Sequence, residues 1–209
     1  PSLTPVHRLD RETTGVLLVA EDAPTASALS MAFEKGRVHK EYLAIVGGEV
    51  AGEDGTIDLA IGEGDRRRVF VRREVNDEGE RAVTRWRVER RLASATLLRL
   101  FPETGRRHQL RVHLAAIGHP ILGDILYGRP DADYFDLVTG TRDARGDEGA
   151  PARVLLHVVR LAFPDPGGAD EEEPLVDHGE GLGEAARPRH GVQQALVLVA
   201  DEVVEAAVE

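Results

Sequence analysis

Six apolar stretches of strand length punctuate the first 163 residues, and only two stretches between them carry helical spacing. Strands mixed with two helices, without regular strand–helix–strand repetition, favour an α+β fold over a doubly wound one. The expected architecture is therefore a mixed, mainly antiparallel sheet with flanking helices. The first strand is the plainest: five apolar residues follow Gly15 without a polar break, so residues 15–20 read as fully buried. In "EDAPTASALSMAFEKGR", Asp22 suits a helix N-cap with Pro24 in the first turn. Leu29, Ala32 and Phe33 form the apolar face, and Gly36 suits the C-terminal cap. "VHKEYLAIV" alternates, with Val38, Tyr42, Ala44 and Val46 on one face.

A Gly- and charge-rich stretch, 47–79, carries a short strand signal in "RRVFV", and "RAVTRWRVERR" and "SATLLRLF" read as two further strands. In "ETGRRHQLRVHLAAIGHP", Thr104 suits the cap of a helix whose stripe is Leu110, Leu114 and Ile117, with Gly118 and Pro120 as its stop. Arg111 lies off that stripe. Residues 124–153 read as a long polar excursion, and "VLLHVVRLAF" as a last core strand. The chain divides into one folded domain, 1–163, and an acidic tail, 164–209. The tail is rich in Gly, Pro and acid, and that composition cannot bury enough surface to offset ordering entropy. Its end, "QQALVLVADEVVEAAVE", is apolar enough for an isolated helix or strand.

Charge must be read by segment. The formal charge of −11 comes almost entirely from 164–209, which holds 12 acids and 2 arginines. Residues 66–111 hold 14 arginines and 6 acids, so a basic surface is compatible with the acidic total. A solvated face of arginine-rich strands accounts for the same cluster. No cysteine is present, which removes disulfides, thiolate nucleophiles and zinc–thiolate sites and fits the cytoplasm. No run of eighteen apolar residues occurs, so a membrane span has no support.

Among candidate chemical groups, Asp10 is the first. An aspartate beside a buried strand needs compensation, which a bidentate arginine from elsewhere in the chain would supply while holding the carboxylate ionised. A structural salt bridge or a turn-capping aspartate is the plainer alternative. His108 and His113 lie five apart, which splays them on a helix, and no glutamate follows the first, so a metal hydrolase is a weak reading and no metal site is expected. No Gly-rich nucleotide loop occurs, and no nucleotide cofactor is expected.

Three segments together carry more. "HRLDRETTGVLLVA" at 7–20, "KEYLAIV" at 40–46 and "TGRRHQLRVHLAAIGHPILGDILYG" at 104–128 closely resemble, in order and spacing, the three motifs of the RluA family of RNA pseudouridine synthases. The resemblance runs from about residue 5 to 163. It implies that Asp10 is the essential catalytic aspartate, that Arg8 enters the RNA stack as the target uridine is turned out, and that Tyr42 stacks on the flipped base. It further implies that Arg111 is the basic residue whose guanidinium fork pairs with Asp10. Leu156, in "LLH", matches the apolar floor under the uracil. Extruding a stacked base costs roughly a few kcal/mol, and stacking on an aromatic ring returns about 1–3 kcal/mol.

The resemblance also implies a monomeric, cytoplasmic isomerase of structured ribosomal or transfer RNA, free of cofactors. A catalytically silent RNA-binding fragment is the alternative. Two departures from the pattern are Thr14, where the family commonly has Ser, and Arg107, where it has Thr or Ser. Family members carry further sequence before "HRLD", including a core strand, so the chain is expected to begin part-way into the family's domain. The acidic tail resembles none of the family's usual ending.

Overall fold

The computed structural model describes residues 3–65, 69, 71–141, 151, 153–166, 175–177 and 195–200; for residues 137, 175–177 and 195–200 it describes the backbone only. The elements in chain order are β1 (Thr4–Pro5), β2 (Thr14–Ala20), α1 (Ala23–Glu34), β3 (His39–Gly47), β4 (Asp54–Asp58), β5 (Ile61–Glu63), β6 (Arg73–Val75), β7 (Val83–Arg91), β8 (Ala95–Pro102), α2 (Gln109–Ala116), α3 (Asp131–Thr139), β9 (Leu156–Ala162), β10 (Leu175–Asp177) and β11 (Ala195–Ala200). The fold is α+β, as the run of short strands implies. It comprises two compact units, one of residues up to Tyr42 with those from His157 on, the other of Leu43–Leu156.

The first unit is built around β2, six of whose seven residues are buried. Ala20 pairs with both Thr4 and Ala195, while Gly15 pairs with both Val158 and Ala200. A strand residue has only two edges, so β1 and β9 share one side of β2 and β11 runs along the other. The β2–β9 pair is parallel and the β1–β2 and β2–β11 pairs antiparallel. Helix α1 covers this unit's core. The Asp22 carboxylate accepts from the Thr25 amide at 2.8 Å, Pro24 lies in the first turn, and Gly36 follows the last turn at φ +67°. Leu29 and Ala32 then pack with Val16, Leu18, Val38, Val158, Leu161 and Phe163.

The stretch after Pro164 departs from expectation. Its apolar end is no isolated element, because β11 pairs with β2 along six residues and β10 pairs with β9. A run such as "ALVLVA" satisfies its backbone groups on the edge of an equally apolar strand. The rest of that stretch lies outside the described residues.

In the second unit β4, β7 and β8 form an antiparallel ladder, with a bulge in β7 between Val88 and Arg90, and β5 pairs with β6. Most of the "RRVFV" signal falls outside the described residues, and Val69 and Val71 are not in a strand; the strand lies later, at β6. Thr104 does not cap α2. Its hydroxyl donates to Gln109 Oε1 at 2.7 Å, and the N-cap position belongs to His108 at φ +58°. The expected apolar stripe is also wrong in kind. Every residue from Gln109 to Leu114 is buried while Ile117 is exposed, because this short helix is enclosed on several sides and its polar residues have partners. The polar excursion contains a helix, α3.

Two glycines separate space from conformation. Gly15 sits at φ +110°, and a Cβ there would lie 2.2 Å from the Val158 carbonyl oxygen, whereas Gly36 has open space around it. Gly15→Ala should therefore lower the unfolding free energy by roughly 2–4 kcal/mol, from strain and overlap together. Gly36→Ala should cost about 1 kcal/mol, from strain alone. Urea unfolding of the two variants checks this, and equal losses would show that β2 and β9 can part without cost.

Candidate active site

The segment between β1 and β2 leaves the sheet at Val6, whose amide donates to the Leu18 carbonyl at 3.3 Å. The next side chain takes over the ladder: the Leu18 amide donates to His7 Nε2 at 2.9 Å. The His7 ring stacks on Phe33 with centroids 4.6 Å apart. Burial, assisted by the nearby Lys40 charge, pushes its pKa down to about 4, against an opposing hydrogen bond to the Arg8 backbone. Further on, the Thr13 amide donates to the Asp10 carbonyl at 3.0 Å and closes a tight turn. Between these two pins Arg8 is exposed, Leu9 packs against the core, and Asp10 is half-buried.

Tyr42, on β3, packs against the same core. Burial first, and then the Asp10 carboxylate, drive its phenol well above the ordinary tyrosine range. The ring therefore stays neutral, and the Asp10 carboxylate is near enough for its charge to act on the phenol. A further buried hydrogen bond ties β2 to β9, between Thr14 Oγ1 and His157 Nδ1 at 2.8 Å. Thr14, the mild departure from the family's usual serine, thus has a defined structural task.

Arg111 and Leu156 belong to the second unit. Both are buried, Arg111 at 5% and Leu156 at 3% exposure. The Arg111 fork closes on Asp124: Nε donates to Oδ2 and Nη2 to Oδ1, each at 2.7 Å. The same carboxylate also accepts from the amides of Leu126 and Tyr127 at 2.9 and 3.1 Å. The Tyr127 ring lies 5.2 Å from the Arg111 guanidinium carbon and 5.8 Å from that of Arg72. Its hydroxyl meets His108 Nδ1 at 2.7 Å and accepts from the Arg73 amide at 2.9 Å, and burial pushes its pKa up to about 12. Gln109 supplies a second knot. Its oxygen accepts from Thr104 and Arg106, and its nitrogen donates to Val83 O and Thr84 Oγ1. His113 bridges Thr84 Oγ1 and the Leu59 carbonyl, each at 3.0 Å. His108 and His113 thus serve separate hydrogen-bond networks.

The arginine-rich strands are largely self-neutralised. Arg85 pairs with Glu103, Arg87 and Arg99 with Glu89, Arg91 with Glu53, and Arg106 with Glu80. Arg8, Arg11 and Arg107, all exposed, have no carboxylate partner among the described residues.

The family model for RNA pseudouridylate synthase matches residues 1–116. The chain belongs to the RNA pseudouridylate synthase family. It is 40% identical over 172 residues to the ribosomal large subunit pseudouridine synthase D of Vibrio cholerae, covering 80% of this chain and 50% of that protein. Its identity to the dual-specificity RNA pseudouridine synthase RluA of the same organism is 39% over 170 residues, covering 79% and 61%. Human RNA pseudouridylate synthase domain containing 1 superimposes with a TM-score of 0.67 at 30% identity, over 86% of this chain and 70% of that one. The chain spans about half the length of the curated relatives it matches. These similarities bear out the likeness to the RluA family carried by the three motifs.

Within this member of the family, Arg8, Asp10 and Tyr42 share one unit, and Arg111 and Leu156 the other. Motif reading missed Asp124, though a signal exists: an acid set between apolar residues and glycines, as in "ILGDILYG", needs a buried partner. Gln109 was missed because a single polar residue does not disclose in sequence whether its partner is backbone or water.

Asp124→Asn should cost about 3–5 kcal/mol of stability, since it leaves the Arg111 charge buried beside an amide that offers one acceptor where two were used. Chemical denaturation measures it, and a loss below about 1 kcal/mol would show that water reaches the pair.

Proposed function

We propose that this chain isomerises uridine in structured ribosomal or transfer RNA to pseudouridine, as a cytoplasmic monomer without a cofactor. The observation that carries the reading is the loop 6–13. It holds an exposed Arg8, with no carboxylate partner among the described residues, two residues from a half-buried Asp10, whose charge reaches the neutral Tyr42. The names of the relatives, with ribosomal large subunit among them, support the substrate class.

In this reading the base leaves its stack before chemistry begins. Arg8, planar and permanently charged, fills the vacated slot, and Tyr42 receives the uracil. A neutral phenol stacks on the ring without repelling its carbonyl oxygens. The bond from N1 to C1′ then breaks, the uracil turns, and C5 bonds to C1′. The C5 proton leaves to solvent and N1 gains one, so the exchange is redox-neutral. Asp10 acts ionised, whether it attacks the sugar, attacks the ring or removes a sugar proton. By the likeness of the third motif, Arg111 takes the part of the family's basic residue. Its bidentate hold on Asp124 fixes its plane before RNA arrives, a preorganisation that spares ordering cost on binding. Leu156 provides the apolar floor.

Asp10→Asn keeps the side-chain volume and removes the charge. It should abolish tritium release from RNA labelled at C5 of uridine while leaving RNA affinity within about two-fold. Normal turnover by this variant would overturn the assignment. The second reading is a catalytically silent RNA-binding fragment. It predicts tight binding with no release from the wild-type chain either.

Charge pairing sharpens the expectation for salt. RNA affinity should fall with ionic strength by counterion release, and Arg8→Ala should reduce the slope of log affinity against log salt by about 1. Arg87→Ala, at a guanidinium already paired with Glu89, should change the slope less. Filter-binding titrations across salt concentrations check this, and equal effects would show that the strand ion pairs open on RNA.

A further inference from the structure

We propose that His7, as a neutral imidazole, is a positioning residue that sets the Arg8–Asp10 loop for reaction. The inference rests on the pseudouridine synthase reading above, and it deepens that reading. The Leu18 amide donates to Nε2, so this nitrogen must carry a lone pair. A neutral ring that accepts at Nε2 carries its proton on Nδ1, so this bond fixes the tautomer. The ring is anchored to a fully buried strand residue, and the next residue along the chain is Arg8.

A second contact fixes the ring plane. Phe33, from α1, stacks on it at 21°. The ring is thus held by β2 and by α1, and Lys40 on β3 is the charged group that faces it. Nothing comparable holds Arg8, which is exposed. Asp10 is three residues from His7, within a turn whose other pin is the Thr13 amide. If Nε2 loses its role, the loop keeps its far pin and swings about it, and a misplacement near 1 Å is enough to cost about 100-fold in rate.

A pair of substitutions separates this role from bulk stability. His7→Phe keeps the stacking on Phe33 but removes the acceptor. His7→Gln places an amide oxygen near the position of Nε2 and cannot be protonated. The assay is single-turnover tritium release from transcribed ribosomal RNA carrying uridine tritiated at C5, with RNA affinity and amide hydrogen exchange measured on the same proteins. The expected result is a 10- to 100-fold fall in rate for His7→Phe at nearly unchanged affinity, and recovery to within about five-fold of wild type in His7→Gln. Exchange at the Leu18 and Thr13 amides should quicken in His7→Phe and slow again in His7→Gln, with α2 amides unaffected. A wild-type rate in His7→Phe overturns the proposal. So does a loss shared in proportion by affinity and by exchange throughout the chain, which marks a merely structural residue. Should the wild-type chain itself release no tritium, the functional reading fails, and the positioning role is then decided by exchange alone: unchanged Leu18 and Thr13 amides in His7→Phe overturn it.

Discussion

Backbone meets backbone where β2 runs beside β9, at a separation that leaves no room for even one methyl on Gly15. That approach governs the first unit. It places Thr14 against His157 for a buried hydrogen bond and leaves the other edge of β2 to β11. It also fixes where β2 begins, four residues after the Asp10 turn starts. A loop is only as well placed as the strand that it feeds, and this strand is tightly confined where it meets β9.

The structure sorts its arginines by what they meet. Those on β7 and β8 answer glutamates along the same ladder, contacts worth little individually at an exposed surface but enough to cancel field. Arg111 meets Asp124 in a buried site, where orientation matters more than net charge. Arg8 meets no carboxylate among the described residues. A polyanion is drawn most strongly to cations that have nothing to give up, so the sparse uncompensated charges say more about an RNA surface than the dense compensated ones.

Periodicity and capping residues made much of this legible. Val16–Ala20 and Asp22 with Gly36 around α1 follow from local rules, and the structure obeys them; β3 is a strand as its pattern suggests, but its buried residues are the consecutive Ala44, Ile45 and Val46 rather than one alternating face. The first and third motifs likewise pointed to the family. What stayed hidden depends on meetings across the fold. The partner of Arg111 lies beyond a helix end and a turn. The left-handed backbone at His108 accompanies a side-chain contact with Tyr127, nineteen residues on, that no local pattern announces. Helix α2 shows no amphipathic pattern because Gln109, Arg111 and His113 are buried with their partners. The strand character of 195–200 came from a free edge of β2 that no local reading of the tail discloses.

Gln109 carries its own consequence for how this protein ages. Its amide is held in one sense only, oxygen toward two donors and nitrogen toward a carbonyl and a hydroxyl. Hydrolysis of that amide to a carboxylate would set an anion against the Val83 carbonyl, in a site buried to 4% exposure. A single slow chemical lesion there would surface as a chain that no longer holds α2 against β7. Molecules damaged in this way would be lost from the folded population, rather than persist as enzymes of altered specificity.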